Sequence, residues 1–349
     1  MKHSFPRPVR FFPLPCALFL AACVSQTVVQ NPEAPPGPII RAEPPVSGPA
    51  ETMPPETTRP IDLFVRRIKD NDPALIRYFT QDEERRISVR AVSDGFEADY
   101  DLQNARPFPD GSRWELDFTV RETGSAETLR DTLWWNIGED DSGILLSLDD
   151  NYQDQWRRYF DLFDRYGAKI TFFIIGGFSS FCTEALNRGH DIGYHTMNHL
   201  NLPQVSREVF YEQTLREVES YRKAGIPLRS FAYPYGFSEP WMREALAGTF
   251  SVQRGFGVRY CLYDKETVKT GYIVSVSIDN IIYKSDTEFE NAVTMMLRTV
   301  KFIGKGSVVP LTTHTIAGDA EWGITARRLE YLLQTARDLK LRFYRYGDL

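Results

Sequence analysis

An apolar run, Ile144 to Leu148, ends abruptly in two adjacent carboxylates, Asp149 and Asp150. A short apolar run with polar bounds reads as a strand buried on both faces of a parallel sheet. In open and barrelled α/β sheets, chemistry sits where such strands end. Two neighbouring carboxylates repel each other and lose hydration there, so a positive partner is expected close by. The bland alternative is a helix N-cap, because a helix-like segment follows at once. Capping explains one Asp well and two poorly.

From Gly143 onward, strand-like and helix-like segments alternate. After Ile144–Leu148, Trp156, Phe160, Phe163 and Tyr166 recur at helical spacing through Gln153–Tyr166. Lys169–Ile175, Asp191–Thr196, Arg229–Tyr233, Gly271–Ile278, Ser307–Thr312 and Leu341–Tyr344 read as further strands, and Glu208–Ala224, Pro240–Ala247, Thr287–Ile303 and Thr325–Lys340 as helices. Repeated β–α units imply a parallel sheet, closed or nearly closed, covered by helices. The stretch 61–141 contains no histidine. Its alternating runs Ile87–Val92, Phe96–Tyr100 and Trp114–Val120, with a turn at Pro109-Asp110-Gly111, predict a small α+β or mainly β module packed on the domain behind it. Trp114, Trp134 and Trp135 leave two readings open there, carbohydrate binding and core packing.

The N-terminus has a different character. Lys2, Arg7 and Arg10 precede an apolar stretch, Phe11–Ala22, that closes on Leu20-Ala21-Ala22-Cys23. This is the layout of an export signal. The Cys directly after the small residues resembles the bacterial lipobox. That resemblance implies cleavage before Cys23, lipid on its sulfur and new amino group, and a membrane as partner through that lipid. Val24 after the Cys implies the outer membrane, on its periplasmic side or at the surface, in a Gram-negative cell. Ten prolines between Pro32 and Pro60 predict an unfolded spacer. The expected organisation is a signal over 1–22, a linker over 23–60, the small module over 61–141 and the main domain over 142–349. Net charge is −6 with acid and base interspersed, which argues against a nucleic-acid partner. Cys182 and Cys261 remain after the signal and the lipid site. A disulfide and two separate thiols both stay open.

Four histidines follow the signal: His190, His195, His199 and His314. His195 and His199 are four apart, a spacing that on a helical turn brings two imidazoles to one face. With Asp150 they make a two-His, one-carboxylate set suited to a divalent metal with coordination positions left for water and substrate.

The chain from about Gly143 to its end resembles the NodB-type polysaccharide deacetylases, carbohydrate esterase family four. Ser147-Leu148-Asp149-Asp150 is similar to the family's Thr-Phe-Asp-Asp, and His195-Thr196-Met197-Asn198-His199 to its His-Ser/Thr-x-x-His. Residues 169–176 and 189–193 are similar to the strand between those motifs and to the usual lead-in. Phe231-Ala232-Tyr233-Pro234-Tyr235-Gly236, Ser277-Ile278-Asp279 and Leu311-Thr312-Thr313-His314 resemble the third, fourth and fifth motifs. Order and spacing agree. The resemblance implies a distorted (β/α) barrel and a metal-dependent hydrolase, a polysaccharide N-deacetylase. Its substrate would be an envelope or exported polymer containing N-acetylglucosamine, with O-acetyl groups as a second possibility.

Carried onto this chain, the resemblance implies that Asp150, His195 and His199 bind Zn²⁺ or Co²⁺, Mn²⁺ or Ni²⁺. Asp149 is then the general base, the Tyr235 backbone N–H an oxyanion donor, and His314 the acid, with Asp279 orienting it. His190 is assigned to structure. Two departures stand out: Ala232 occupies the place of the third motif's Arg, and Asn151-Tyr152 replaces the usual Gly-Pro. Arg254 and Arg259 are the candidates to replace the missing cation. The competing expectation is a catalytically idle, envelope-anchored glycan-binding lipoprotein on the same fold.

Overall fold

The computed structural model describes residues 58–349, apart from 269, 270 and 305. The expected signal, Cys23 and nearly all of the 23–60 linker lie outside these residues. The last linker residue, Pro60, is instead the first residue of a helix, Pro60–Lys69. Proline suits that position, where its missing N–H would have no helical partner.

That helix covers a six-stranded antiparallel sheet, joined chiefly by hairpins from Arg77–Gln81 to Leu129–Asn136. Period-two alternation decides its faces. Ala91, Ala98, Leu116, Phe118 and Val120 are buried on one face. The other carries paired charges: Arg121 with Glu97 and Asp99, Arg90 with Asp99, and Arg106 with Asp117. Trp114 and Trp135 are buried, whereas Trp134 is 49% exposed. The buried face packs on a helix of the main domain, Asp286–Ile303. Phe302 of that helix meets Tyr100 at 4.7 Å and Trp135 at 5.2 Å between ring centroids. Residues 56–349 form one compact unit.

The main domain is a distorted (β/α) barrel of seven parallel strands. In chain order they are Gly143–Asp150, Thr171–Ile174, Asp191–Tyr194, Ser230–Ala232, Val252–Gly257, Tyr272–Ser277 and Ser307–Thr313. The seventh pairs in parallel with the first, from Val308 opposite Gly143 to Thr313 opposite Leu148, and closes the barrel. A short final strand, Arg342–Tyr344, pairs with the lower half of the first. It delivers Tyr346, fully buried, to the barrel floor.

The first strand is apolar throughout because both its faces are covered. Ile144, Leu146 and Leu148 belong to the layer between barrel and helices. Leu145 belongs to a separate interior cluster with Phe173, Ala232, Val252 and Tyr346. By alternation Ser147 and Asp149 face inward with Leu145.

Two sequence expectations change and one strand was not anticipated. The helix expected over Glu208–Ala224 is two helices, Arg207–Leu215 and Val218–Lys223. Gln153–Tyr166 is a helix, a 3₁₀ turn and a second helix. The fifth barrel strand, Val252–Gly257, had no sequence expectation at all. Its Gln253, Arg254, Gly255 and Gly257 do not read as an apolar run.

Candidate active site

The chemistry-bearing residues gather at the C-terminal ends of the barrel strands. Asp149 is the last inward residue of the first strand and is buried. Consecutive strand residues point to opposite faces, so Asp150 would turn away from it. Asp150 instead adopts φ 83°, outside β geometry, and its carboxylate faces His195 and His199.

The His195–His199 segment is a loop, which corrects the helical turn inferred from the four-residue spacing. Thr196 has φ 68° and His199 φ 55°. The His199 N–H donates to Thr196 Oγ1 at 3.0 Å. Gln213 clamps the loop from the helix Arg207–Leu215. Its carbonyl accepts from Met197 N–H and its side-chain oxygen from Asn198 N–H, both at 2.9 Å. Left-handed non-glycine residues each cost of the order of 1–3 kcal/mol and cluster at functional sites. Four of them, Asp150, Thr196, His199 and Tyr235, lie here.

One ligand atom each from Asp150, His195 and His199 lies within 4.8 Å of the others. Asp150 Oδ1 is 3.6 Å from His195 Nε2 and 3.4 Å from His199 Nε2. The His195 Nδ1–H donates to the Ala232 carbonyl at 2.8 Å, which leaves the Nε2 lone pair facing Asp150. Burial pushes the His195 pKa down to about 3, so the ring is neutral. Asp150 Oδ1 is buried with no hydrogen-bond partner among the described residues. Two imidazole nitrogens and an unsatisfied carboxylate oxygen converging on one point fit a divalent cation.

Asp149 lies beside this set and has its own cation. Arg254 Nη2 donates to Asp149 Oδ2 in a fully buried ion pair. The rest of the guanidinium is cradled by hydroxyls. Nη1 donates to Ser275 Oγ at 2.8 Å and to Thr312 Oγ1 at 3.3 Å, and the group lies 5.0 Å from the Phe173 ring centroid. Arg254 stands opposite Ala232 in the register of the fourth and fifth strands. The cation absent at position 232 is therefore supplied from the adjacent strand. Of the two candidates, Arg254 takes the role and Arg259 is exposed. Asp149 Oδ1 remains buried, with no hydrogen-bond partner among the described residues.

His314 follows the seventh strand. Its Nδ1–H donates to Asp279 Oδ2 at 2.9 Å, and its backbone N–H and the Thr313 hydroxyl both reach Asp279 Oδ1. Burial works against a charged ring, but the hydrogen bond and charge of Asp279, with Asp149 and Asp150 further off, outweigh it. The result is a pKa raised to about 9. Trp156 Nε1–H donates to the His314 carbonyl at 2.8 Å.

Tyr235, at φ 57°, occupies a tight turn, and its ring lies 4.7 Å from that of His199. Tyr235 and Trp322 are both about half exposed, and Trp322 lies 5.8 Å from His314. Tyr233, by contrast, is buried. A cleft of about 670 Å³ runs beside the site, lined by Asn151, Tyr152, Gln153, Ser179 and Met197 among others.

Residues 137–249 match the family model described as polysaccharide deacetylase. That stretch holds Asp149, Asp150, His195, His199 and Tyr235, and ends before Arg254, Asp279 and His314. No curated protein matches the chain. Among solved structures, the Xyl-CE4 domain of a multidomain xylanase from the hindgut metagenome of Trinervitermes trinervoides is similar at 17% identity. The match covers 60% of this chain and 89% of that one with a TM-score of 0.43. The chitin deacetylase of the fungal pathogen Colletotrichum lindemuthianum is similar at 16% identity, covering 60% and 87%, TM-score 0.43. Peptidoglycan deacetylase PdaC from Bacillus subtilis is similar at 15% identity, covering 60% and 89%, TM-score 0.42.

Other residues singled out in the sequence lie away from the site. His190 is buried among Phe160, Phe163 and Phe172 and accepts from Ile170 N–H at 3.2 Å. Burial pushes its pKa down to about 4. Cys182 is buried in the helix Ser180–Asn187, and among the described residues no disulfide joins it to Cys261.

Proposed function

We propose that this chain is a metal-dependent hydrolase that removes acetyl groups, N-linked in the first place and O-linked in the second, from an envelope or exported polysaccharide. The observation that carries the reading is the convergence of two opposed functions on one cleft. A carboxylate with one oxygen held by Arg254 and the other unpaired lies on one side. An imidazole whose pKa is raised to about 9 lies on the other.

Asp150, His195 and His199 would hold the cation, Zn²⁺ or a related divalent ion. A cation there supplies Lewis acidity to an acetyl carbonyl and to water. Asp149 Oδ1 is placed to accept a proton from the attacking water, while Arg254 balances the charge of the carboxylate and fixes its rotamer. The Tyr235 backbone N–H serves the developing oxyanion. His314, protonated at neutral pH, gives its proton to the leaving amine, and Asp279 holds the ring in the donating orientation. Amides need that last step, because an unprotonated amine leaves poorly. Two departures, Ala232 and the rim residues Asn151-Tyr152, suggest an idle glycan-binding protein; Arg254, opposite Ala232 and paired with Asp149, answers the first of them. The lipobox-like Cys23 supports placement of the enzyme on the envelope through a lipid.

Acetate release from N-acetylglucosamine oligomers, peptidoglycan and exopolysaccharide tests the reading. Release is expected to fall on chelation and return with Zn²⁺ or Co²⁺, and to drop about 10²-fold or more in Asp149→Asn and His314→Ala. No metal-dependent release from any of the three would end the proposal. Palmitate labelling of wild type but not Cys23→Ala tests the anchor.

A further inference from the structure

The C-terminal segment takes no direct part in the chemistry above, yet it ends beneath it. After the final strand, Arg342–Tyr344, the chain turns under the barrel and is tied to the starts of the second and third strands. Tyr346 N–H donates to Thr171 Oγ1 at 3.0 Å, and Gly347 N–H donates to Asp191 Oδ2 at 2.9 Å. Thr171 Oγ1 in turn donates to that same Asp191 oxygen at 3.1 Å, and Arg345 Nη1 donates to the Gly189 carbonyl at 3.1 Å.

This turn inserts the Tyr346 ring into the barrel interior, where it is fully buried. It meets the Phe173 ring edge-on, with 5.2 Å between centroids and 75° between planes. Phe173 stands opposite Asp149 in the register of the first two strands, and the Arg254 guanidinium lies 5.0 Å from its centroid. Gly193, opposite Phe173 on the third strand, leaves room for that ring, since a Cβ there would fall 2.4 Å from two of its carbons. Phenol, phenyl and guanidinium thus make one chain of contacts that ends at the cation held on Asp149.

Hydrogen bonds hold Arg254 only at its tip. Nη1 and Nη2 bond to Ser275, Thr312 and Asp149, whereas Nε is buried with no hydrogen-bond partner among the described residues. Packing on the Phe173 face is what resists a pivot about that tip. The Tyr346 hydroxyl also lacks a hydrogen-bond partner among the described residues, so its ring carries the contact. Burial pushes the phenol pKa up, and the charges of Arg254 and Asp149 act on it.

We propose that Tyr346 is a positioning residue: its ring wedges Phe173 against Arg254 and so keeps the cation in place on Asp149. The C-terminal turn then belongs to the working parts of the site. Only the kinetic arm of the test rests on the deacetylase reading.

The test compares Tyr346→Phe with Tyr346→Leu in the full-length protein. Tyr346→Met, whose flexible side chain refills the space, runs beside them should Tyr346→Leu fail to fold. Tyr346→Phe keeps the ring and is expected to retain wild-type kcat. In the other two, kcat for acetate release should fall about tenfold or more with KM unchanged, because no substrate contact is removed. The second readout needs no activity. The Arg254 Nε–H resonance, identified by its loss in Arg254→Lys, is expected to exchange slowly with solvent in wild type and Tyr346→Phe, and about tenfold or more faster in the Leu and Met variants. A lower melting temperature with kcat and exchange unchanged would make Tyr346 purely structural and overturn the proposal. Equal losses in Tyr346→Phe would overturn it too, since the ring is still there. No acetate release by the wild type, alongside faster exchange in Tyr346→Leu, would defeat the deacetylase reading and leave the positioning role standing.

Discussion

At the scale of single residues, the pair Asp149–Arg254 governs the site. Two charges buried together lose their hydration, and only their mutual attraction and the surrounding hydroxyls offset that loss. Arg254→Ala would strand a buried carboxylate. We expect a cost of about 3–5 kcal/mol in urea unfolding, together with a large loss of kcat. Moving the cation back to the neighbouring strand, Ala232→Arg/Arg254→Ala, is expected to recover part of both; recovery of neither would mean that Arg254 acts through its own strand's geometry alone. His314 and Asp279 set the pH dependence. The His314 proton is held up to a pKa of about 9, against an ordinary value of 6.5. Its contribution to stability is therefore fully present below 6.5 and lost as pH rises through 9. The rate should fall over the same alkaline range. Asp279→Asn removes the main influence opposing burial, so the alkaline limb of kcat/KM should move down by about one pH unit or more. An unmoved limb would assign that limb to another group.

At the scale of elements, the site is made by strand ends and the loops that leave them. The turn after the fourth strand shows how tight the construction is. Gly236 has φ 76°, and a Cβ there would sit 2.4 Å from Phe256 Cβ and 2.6 Å from Phe256 N. Gly236→Ala therefore meets backbone strain and a backbone clash together. A destabilisation of about 2 kcal/mol or more is expected by chemical denaturation, with Tyr235 displaced and activity lost. Wild-type stability in that variant would mean the turn can shift away from Phe256. Such loops are poorly legible in sequence. The His195–His199 spacing pointed correctly to a pair of imidazoles on one side, but through helical geometry. The structure achieves it with two left-handed residues and a clamp from Gln213, and nothing in the spacing distinguishes these solutions.

At the scale of the whole molecule, the antiparallel sheet and the barrel share one core through the helix Asp286–Ile303. Phe302 is the joint: it packs on Tyr100 and Trp135, and Arg77 lies 5.3 Å over its ring. Phe302→Ala should cost about 3–5 kcal/mol. A single unfolding transition by tryptophan fluorescence is expected, because sheet and barrel belong to one compact unit. Two transitions would show that they unfold separately.

What this sequence determined by itself is local and periodic. Apolar runs and helical spacing specify a parallel α/β sheet, closed or nearly closed, and the motifs holding Asp149, Asp150, His195, His199, Asp279 and His314 carry the resemblance that implies a distorted (β/α) barrel. Each of those signals is carried by a few consecutive residues. Tertiary structure alone decided the fifth strand and the cation on it. Gln253-Arg254-Gly255 looks like an exposed segment, because a buried arginine is tolerated only where a carboxylate and hydroxyls from distant strands meet it. Barrel closure brings Asp149, Ser275 and Thr312 to that point from positions far apart in the chain. Packing of the N-terminal sheet on the helix Asp286–Ile303 likewise sets Gln81 against Tyr260, a neighbourhood no local pattern could encode.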